Sequence, residues 1–147
     1  MKIHSPPAHD AIILLIEDNE ADARLVAEGL KESKIANRLV HVVDGDQALD
    51  YLHCRGDYAE AVQPDLIILD LNMPKMDGRE FLEKIKDNLS FSDIPLVVLT
   101  TSNDELDIKH SYVNMANCFI TKPLDFSKFV EVVQAIEHFW LKIAKIP

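Results

Sequence analysis

A doubly wound α/β domain, with five parallel strands and five helices in alternation, is predicted by three observations. Five short apolar runs punctuate the chain, and most are rich in Ile and Val without polar alternation. Strands of that kind are buried on both faces, as in a parallel sheet covered by helices. Longer stretches with helical apolar spacing separate the runs, and no repeat or composition shift interrupts the order, so βα units follow one another.

The first run is Ala11–Ile16 (AIILLI), after a polar Met1–Asp10 segment read as a disordered or extended arm. Glu20–Ser33 follows as a helix, with Leu25, Val26, Gly29 and Leu30 on one side and Asn19 as N-cap. Leu39–Val43 is the second run, and Asp46–Arg55, with Ala48, Leu49 and Leu52, the second helix. Gly56–Pro64 is a polar connection, expected as an exposed loop, before the third run, Leu66–Leu69. Arg79–Asn88 presents Phe81, Leu82 and Ile85, and Asp77-Gly78 before it reads as a turn that starts the helix. Leu96–Leu99 is the fourth run, Asp104–Ala116 a weakly amphipathic helix, and Cys118–Ile120 the fifth run. Asp125–Lys145 is the longest helix, so residues 11–147 are expected to form a single domain with an extended C-terminal helix.

Composition removes several functions. The chain has 147 residues, enough for one domain with its own core. Apolar residues at 48% exclude a disordered chain. A net charge of −10 repels phosphate backbones and anionic lipid, which argues against nucleic-acid or membrane partners. Cys54 and Cys118 have no metal spacing and read as small buried apolar groups in a reducing compartment. No apolar run approaches the roughly 20 residues of a membrane span, so a cytoplasmic location is expected.

In an open parallel sheet, ligands bind beyond the carboxyl ends of the strands. Glu17-Asp18 follows the first run, Asp70 the third, Thr100-Thr101-Ser102 the fourth and Thr121-Lys122-Pro123 the fifth. Three carboxylates at one edge repel unless a cation offsets them, and an all-oxygen donor set favours Mg²⁺. With Lys122 as a fixed positive charge and Thr100 as a hydroxyl donor, the set describes a phosphoryl-accepting site with a carboxylate nucleophile. The histidines are scattered, and all six read as surface or packing residues.

The run Asp70–Gly78 (DLNMPKMDG) resembles the segment after the third strand of response-regulator receiver domains, with Glu17-Asp18, Thr100 and Lys122-Pro123 as the family's other marks in order. The resemblance covers about Ala11 to Ile136. It implies the flavodoxin-like strand order 2-1-3-4-5 and a two-component phosphorelay in which Asp70 takes a phosphoryl group from a histidine kinase. It also implies Mg²⁺ on Asp18, Asp70 and the Asn72 backbone carbonyl, with Glu17 binding directly or through water. Lys122 and Thr100 would hold phosphoryl oxygens, Thr100 and Phe119 would act as the switch pair, Asn72 and Ser102 would tune hydrolysis, and the Lys122–Pro123 bond would be cis. Two rivals are a degenerate receiver acting as a constitutive adaptor and a haloacid-dehalogenase-type phosphatase, which would need an Asp where Asn72 stands.

The loop GDYAEAVQPDLI, the run LTTS and the tail HFWLK are similar to single-domain regulators that partner cyanobacterial phytochromes. That implies a phytochrome kinase partner and a homodimer. The last helix agrees: Phe129, Val133, Ile136, Trp140 and Ile143 form one apolar stripe, while Val132, Ala135, Phe139 and Ile146 form another. A surface helix needs only one such stripe, so Val132, Phe139 and Ile146 are interface candidates. About 25 residues follow Lys122, room for a helix but not an output domain, so signalling is expected to run through binding to a further protein.

Overall fold

A computed structural model describes residues 10–32 and 36–143, with the side chains of 142 and 143 left out of the description. The strands are β1 (Ala11–Ile16), β2 (Asn37–Val42), β3 (Leu66–Leu69), β4 (Leu96–Thr100) and β5 (Cys118–Thr121). The helices are α1 (Glu20–Lys31), α2 (Gly45–Leu52), α3 (Gly78–Lys86), α4 (Glu105–Val113) and α5 (Phe126–Glu137). All pairings are parallel, as the sequence pattern predicts, and the sheet order is β2-β1-β3-β4-β5, as the family resemblance implies. The proposed arm, Met1–Asp10, lies outside the described residues except for Asp10.

The absence of alternation in the strands now has its cause. Successive side chains point to opposite faces, and both faces are covered. Leu14, Ile16, Ile67, Leu69, Leu96 and Val98 pack with Ala48, Leu52, Phe81 and Leu82 of α2 and α3. Ile13, Leu15, Leu66, Ile68, Val97 and Leu99 pack with Val26 and Leu30 of α1 and Phe129, Val133 and Ile136 of α5. Each fully buried side chain of this size contributes about 1.5–3 kcal/mol of transfer free energy.

Every α-helix begins on a side-chain cap. Asn19, Asp44, Asp77, Asp104 and Asp125 each accept a hydrogen bond from a first-turn backbone N–H. Four of these are aspartates, whose charge also suits a helix N-terminus. The polar connection after α2 is not free of structure. Gly56–Tyr58 makes a 3₁₀ turn, Tyr51 donates its hydroxyl to Val62 O at 2.6 Å, and Gln63 donates to Leu52 O at 2.9 Å.

Three expectations need correction. Cys54 is exposed rather than buried, because it follows the end of α2 in a left-handed conformation (φ 54°) that turns the chain outward; Cys118 is half-buried. No cis peptide bond occurs among the described residues, so the Lys122–Pro123 bond is trans, the form favoured by about 0.5–1 kcal/mol before proline. The C-terminal helix is not one α-helix to Lys145: regular α geometry ends at Glu137, and His138–Ile143 continues in wider π turns. That change of pitch pulls the apolar stripes out of phase. Phe129, Val133 and Ile136 are buried, Trp140 is half-buried, and Phe139 is 48% exposed. Ile146 lies outside the described residues.

Gly78 is the close approach that seats α3 under the third strand end. A Cβ there would lie 2.4 Å from Asp70 O and 2.7 Å from Leu71 Cα, both backbone atoms that cannot swing aside. Gly78→Ala is expected to destabilise the fold by about 2 kcal/mol or more, read as a lower urea midpoint at unchanged slope.

Candidate functional site

The strand register brings the polar strand ends together. Glu17 and Asp70 follow the paired residues Ile16 and Leu69, and Thr100 pairs with Thr121 directly before Lys122. Glu17, Asp70, Thr100 and Lys122 are all buried, whereas Asp18 and Asn72 are exposed. Asp18, Asp70, Asn72 and Lys122, with Asp22 and Thr101 among others, line a cleft of about 760 Å³.

Lys122 is the hub. Its Nζ donates to Glu17 Oε1 at 2.5 Å, to Asp22 Oδ2 at 2.7 Å and to Asp70 Oδ2 at 3.2 Å. The three donors of the ammonium are thus all used on carboxylates. Asp70 Oδ1 accepts from its own loop, from the Asn72 N–H at 3.2 Å. Glu17 Oε2 accepts from the Asn19 N–H at 3.2 Å, and the Glu17 carbonyl accepts from His41 Nε2 at 2.6 Å. His41 is therefore a surface residue, as expected, that also braces the backbone of the site.

Electrostatics separates the two buried acids. Burial is the largest influence on Glu17 and pushes its carboxyl up to about 8; Asp70 nearby adds to this and Lys122 opposes it. Burial works the same way on Asp70, but hydrogen bonds from Thr100 and Glu17 and the Lys122 charge outweigh it and hold this carboxyl below its ordinary value. The two neighbouring acids are thus driven in opposite directions, Glu17 toward holding a proton and Asp70 toward ionisation. Burial disfavours charge on Lys122 as well, yet its bonds to Asp22 and Glu17 prevail and hold the ammonium above the usual lysine range.

The donor chemistry fits a hard divalent cation. One carboxylate oxygen from each of Glu17, Asp18 and Asp70 lies within 4.8 Å of the others, with no nitrogen or sulfur ligand in the group.

Of the two adjacent hydroxyls, Thr100 is the buried one, and its Oγ1 lies 3.5 Å from Asn72 Nδ2; Thr101 is exposed at the cleft wall. Phe119 is half-buried against the core on the α2–α3 face. Asp77 caps α3, as its turn reading requires. The sequence reading missed Asp22, whose signal is its place in the first turn of the helix that follows the Glu17-Asp18 pair. It also missed Arg79, whose Nε and Nη2 each donate to Asp107 at 2.6 Å. Ser102 donates to the same carboxylate at 2.6 Å.

Comparison with known proteins agrees with this geometry. The response regulator receiver domain model matches residues 13–134. The response regulator Rcp1 of Synechocystis sp. is 46% identical over 136 residues, 92% of this chain and 92% of that protein. The crystal structure of the phosphorylated cyanobacterial phytochrome response regulator RcpA superposes with a TM-score of 0.91 at 49% identity, covering 95% of this chain and 99% of that one. The Mn(2+)-bound form of Rcp1 gives a TM-score of 0.89 at 46% identity, over 93% of this chain and 99% of that one.

The Asp107 contact sets a pH dependence. The Arg79 hydrogen bonds, helped by Ser102, hold the Asp107 carboxyl at about 2, below its ordinary 3.8. A depressed carboxyl contributes stability that is complete above its unfolded value and is lost as pH falls through its folded value. Between about pH 4 and about pH 2 the urea midpoint should therefore fall more steeply in the wild type than in Asp107→Asn.

Proposed function

The chain belongs to the response regulator receiver domain family, and from that premise we propose that Asp70 is the residue on which it accepts a phosphoryl group from a sensor histidine kinase. The observation that carries this is the buried ion cluster: Asp70 is kept ionised while Lys122 holds it beside Glu17 and the cleft. An Asp70 oxygen attacks phosphorus, the phosphorus–nitrogen bond of the kinase's phosphohistidine breaks, and its electron pair stays on the imidazole. Lys122 leaves part of its carboxylate contact to meet a phosphoryl oxygen, and the Thr100 hydroxyl donates to another. Hydrolysis later replaces the Asp70–phosphorus bond by one to water oxygen, restoring the carboxylate and releasing phosphate.

Asp18, Asp70 and the Asn72 carbonyl would hold Mg²⁺, with Glu17 binding directly or through water. Bound there, the cation supplies neutralising charge for the phosphoryl oxygens. The oxygen-only donors support this, as does the Mn(2+)-bound form of the relative Rcp1.

The protein is thus a signalling phosphoacceptor rather than a turnover enzyme. Its output runs through Thr100 and Phe119 to a changed binding surface. Likeness to the phytochrome regulator RcpA supports a phytochrome as the kinase. No helix among the described residues is long and apolar enough to cross a membrane. The haloacid-dehalogenase alternative is disfavoured by Asn72, which supplies no carboxyl acid two residues after Asp70.

A homodimer through the outer face of α5 completes the proposal. An apolar groove of about 560 Å³ runs there, lined by Cys118, Ile120, Val132, Ala135, Phe139 and Trp140. Phe139 stacks edge-on against Trp140 at 5.1 Å, yet stays 48% exposed, a large apolar surface left for a second copy.

Asp70→Asn is expected to lose all labelling by acetyl phosphate or by a phosphorylated histidine kinase; persistent label would move the acceptor elsewhere. Phe139→Glu is expected to shift the protein toward monomer in sedimentation velocity, and an unchanged mass would return this face to solvent.

A further inference from the structure

Helix α4 is attached unlike the others. Ser111 is the buried residue of its nine, and Leu106, Tyr112 and Val113 are 75%, 48% and 57% exposed. An apolar face is therefore not what seats it. Polar contacts do: the Arg79 fork on Asp107, Ser102 on Asp107, and Glu83 of α3 with His110 Nε2 at 3.1 Å. Arg79 sits at the first turn of α3 and also faces the acceptor loop. Its Nη1 lies 3.4 Å from the Leu71 carbonyl and from Asp77 Oδ2, and its Nη2 lies 3.4 Å from Asn72 Oδ1. Asn72 in turn reaches Thr100 Oγ1 at 3.5 Å and gives its N–H to Asp70.

We propose that Arg79 is a positioning residue: a strap that ties α4 and the loop after β4, through Asp107 and Ser102, to the Asp70 loop, and so holds Asn72 in place beside the acceptor carboxylate. The parallel fork of a guanidinium on a carboxylate fixes direction as well as distance, which a lysine cannot do. Asp107 receives the fork with one face and the Ser102 hydroxyl on Oδ2, so a single carboxylate sets both the helix and the loop. On the other side, the Asn72 side chain, which lines the cleft beside Asp70, is held between Arg79 and the buried Thr100, so its release would widen the approach of water to Asp70. Loss of the strap frees both.

The structural half of this proposal is independent of phosphorylation; the kinetic half rests on Asp70 as the acceptor. Hydrogen exchange on the unmodified protein tests the first. Arg79→Gln and Asp107→Asn should each speed amide exchange across residues 105–113 by about fivefold or more, the double variant no more than either single, with β1 and β3 unchanged. Arg79→Lys should fall between wild type and Arg79→Gln. Wild-type exchange in α4 for Arg79→Gln overturns the strap. For the second half, the proteins are labelled with acetyl phosphate and the decay of label is followed. Arg79→Gln and Asp107→Asn should shorten its half-life by a similar factor of about three or more, with Arg79→Lys partly restoring it. An unchanged or longer half-life overturns the positioning role. Failure of the acceptor assignment shows separately, as label retained by Asp70→Asn.

Discussion

One buried ammonium organises this protein. Lys122 is almost sealed from solvent and meets Glu17, Asp22 and Asp70 at once. Removing an ion from water is expensive, and the cost is offset only when the ion is paired and each of its donors finds an acceptor. That condition is met here from three parts of the chain, β1, α1 and β3, so the cluster forms only when the sheet has closed in its native order. The same cluster sets two neighbouring acids apart, with burial raising Glu17 while hydrogen bonds and the Lys122 charge lower Asp70.

The scaffold delivers these groups without flexible intermediaries. Glu17, Asp70 and Lys122 each come directly after a strand packed between helices, and Asp22 comes from the first turn of α1. Gly78 brings the start of α3 against the Asp70 backbone with no room to spare, and Glu17 is braced from β2 by His41. Chemistry at the strand ends therefore inherits the rigidity of the core, while α4, held by polar contacts, stays the loosely fastened neighbour.

Much of this was legible in the amino acids because burial on two faces leaves an unmistakable trace: AIILLI and LIIL admit no solvent side, and the first polar residue after each marks the sheet edge. Asp70, Glu17, Thr100 and Lys122 fall at those junctions and were recognisable there. Asp22, Arg79 and Asp107 were not, because their partners are set by how helices sit on strands and on each other, a tertiary property without local periodicity. The exposure of Cys54 follows from a single left-handed residue after α2, and the α-helix gives way to π turns after Glu137; neither has a spacing signature. α4 was recognisably weak in pattern, and the structure explains why: it buries almost no apolar surface.

The last strand carries a protective consequence. β5 lies at the margin of the sheet, and half of its main-chain groups look away from β4. The Phe119 N–H is spoken for by the Tyr112 hydroxyl, 3.1 Å away on α4. A donor occupied in this way is unavailable to a stray strand from another molecule. The border of the sheet is thereby blunted against ladder growth and self-templated aggregation by a phenol rather than by a charge or a proline.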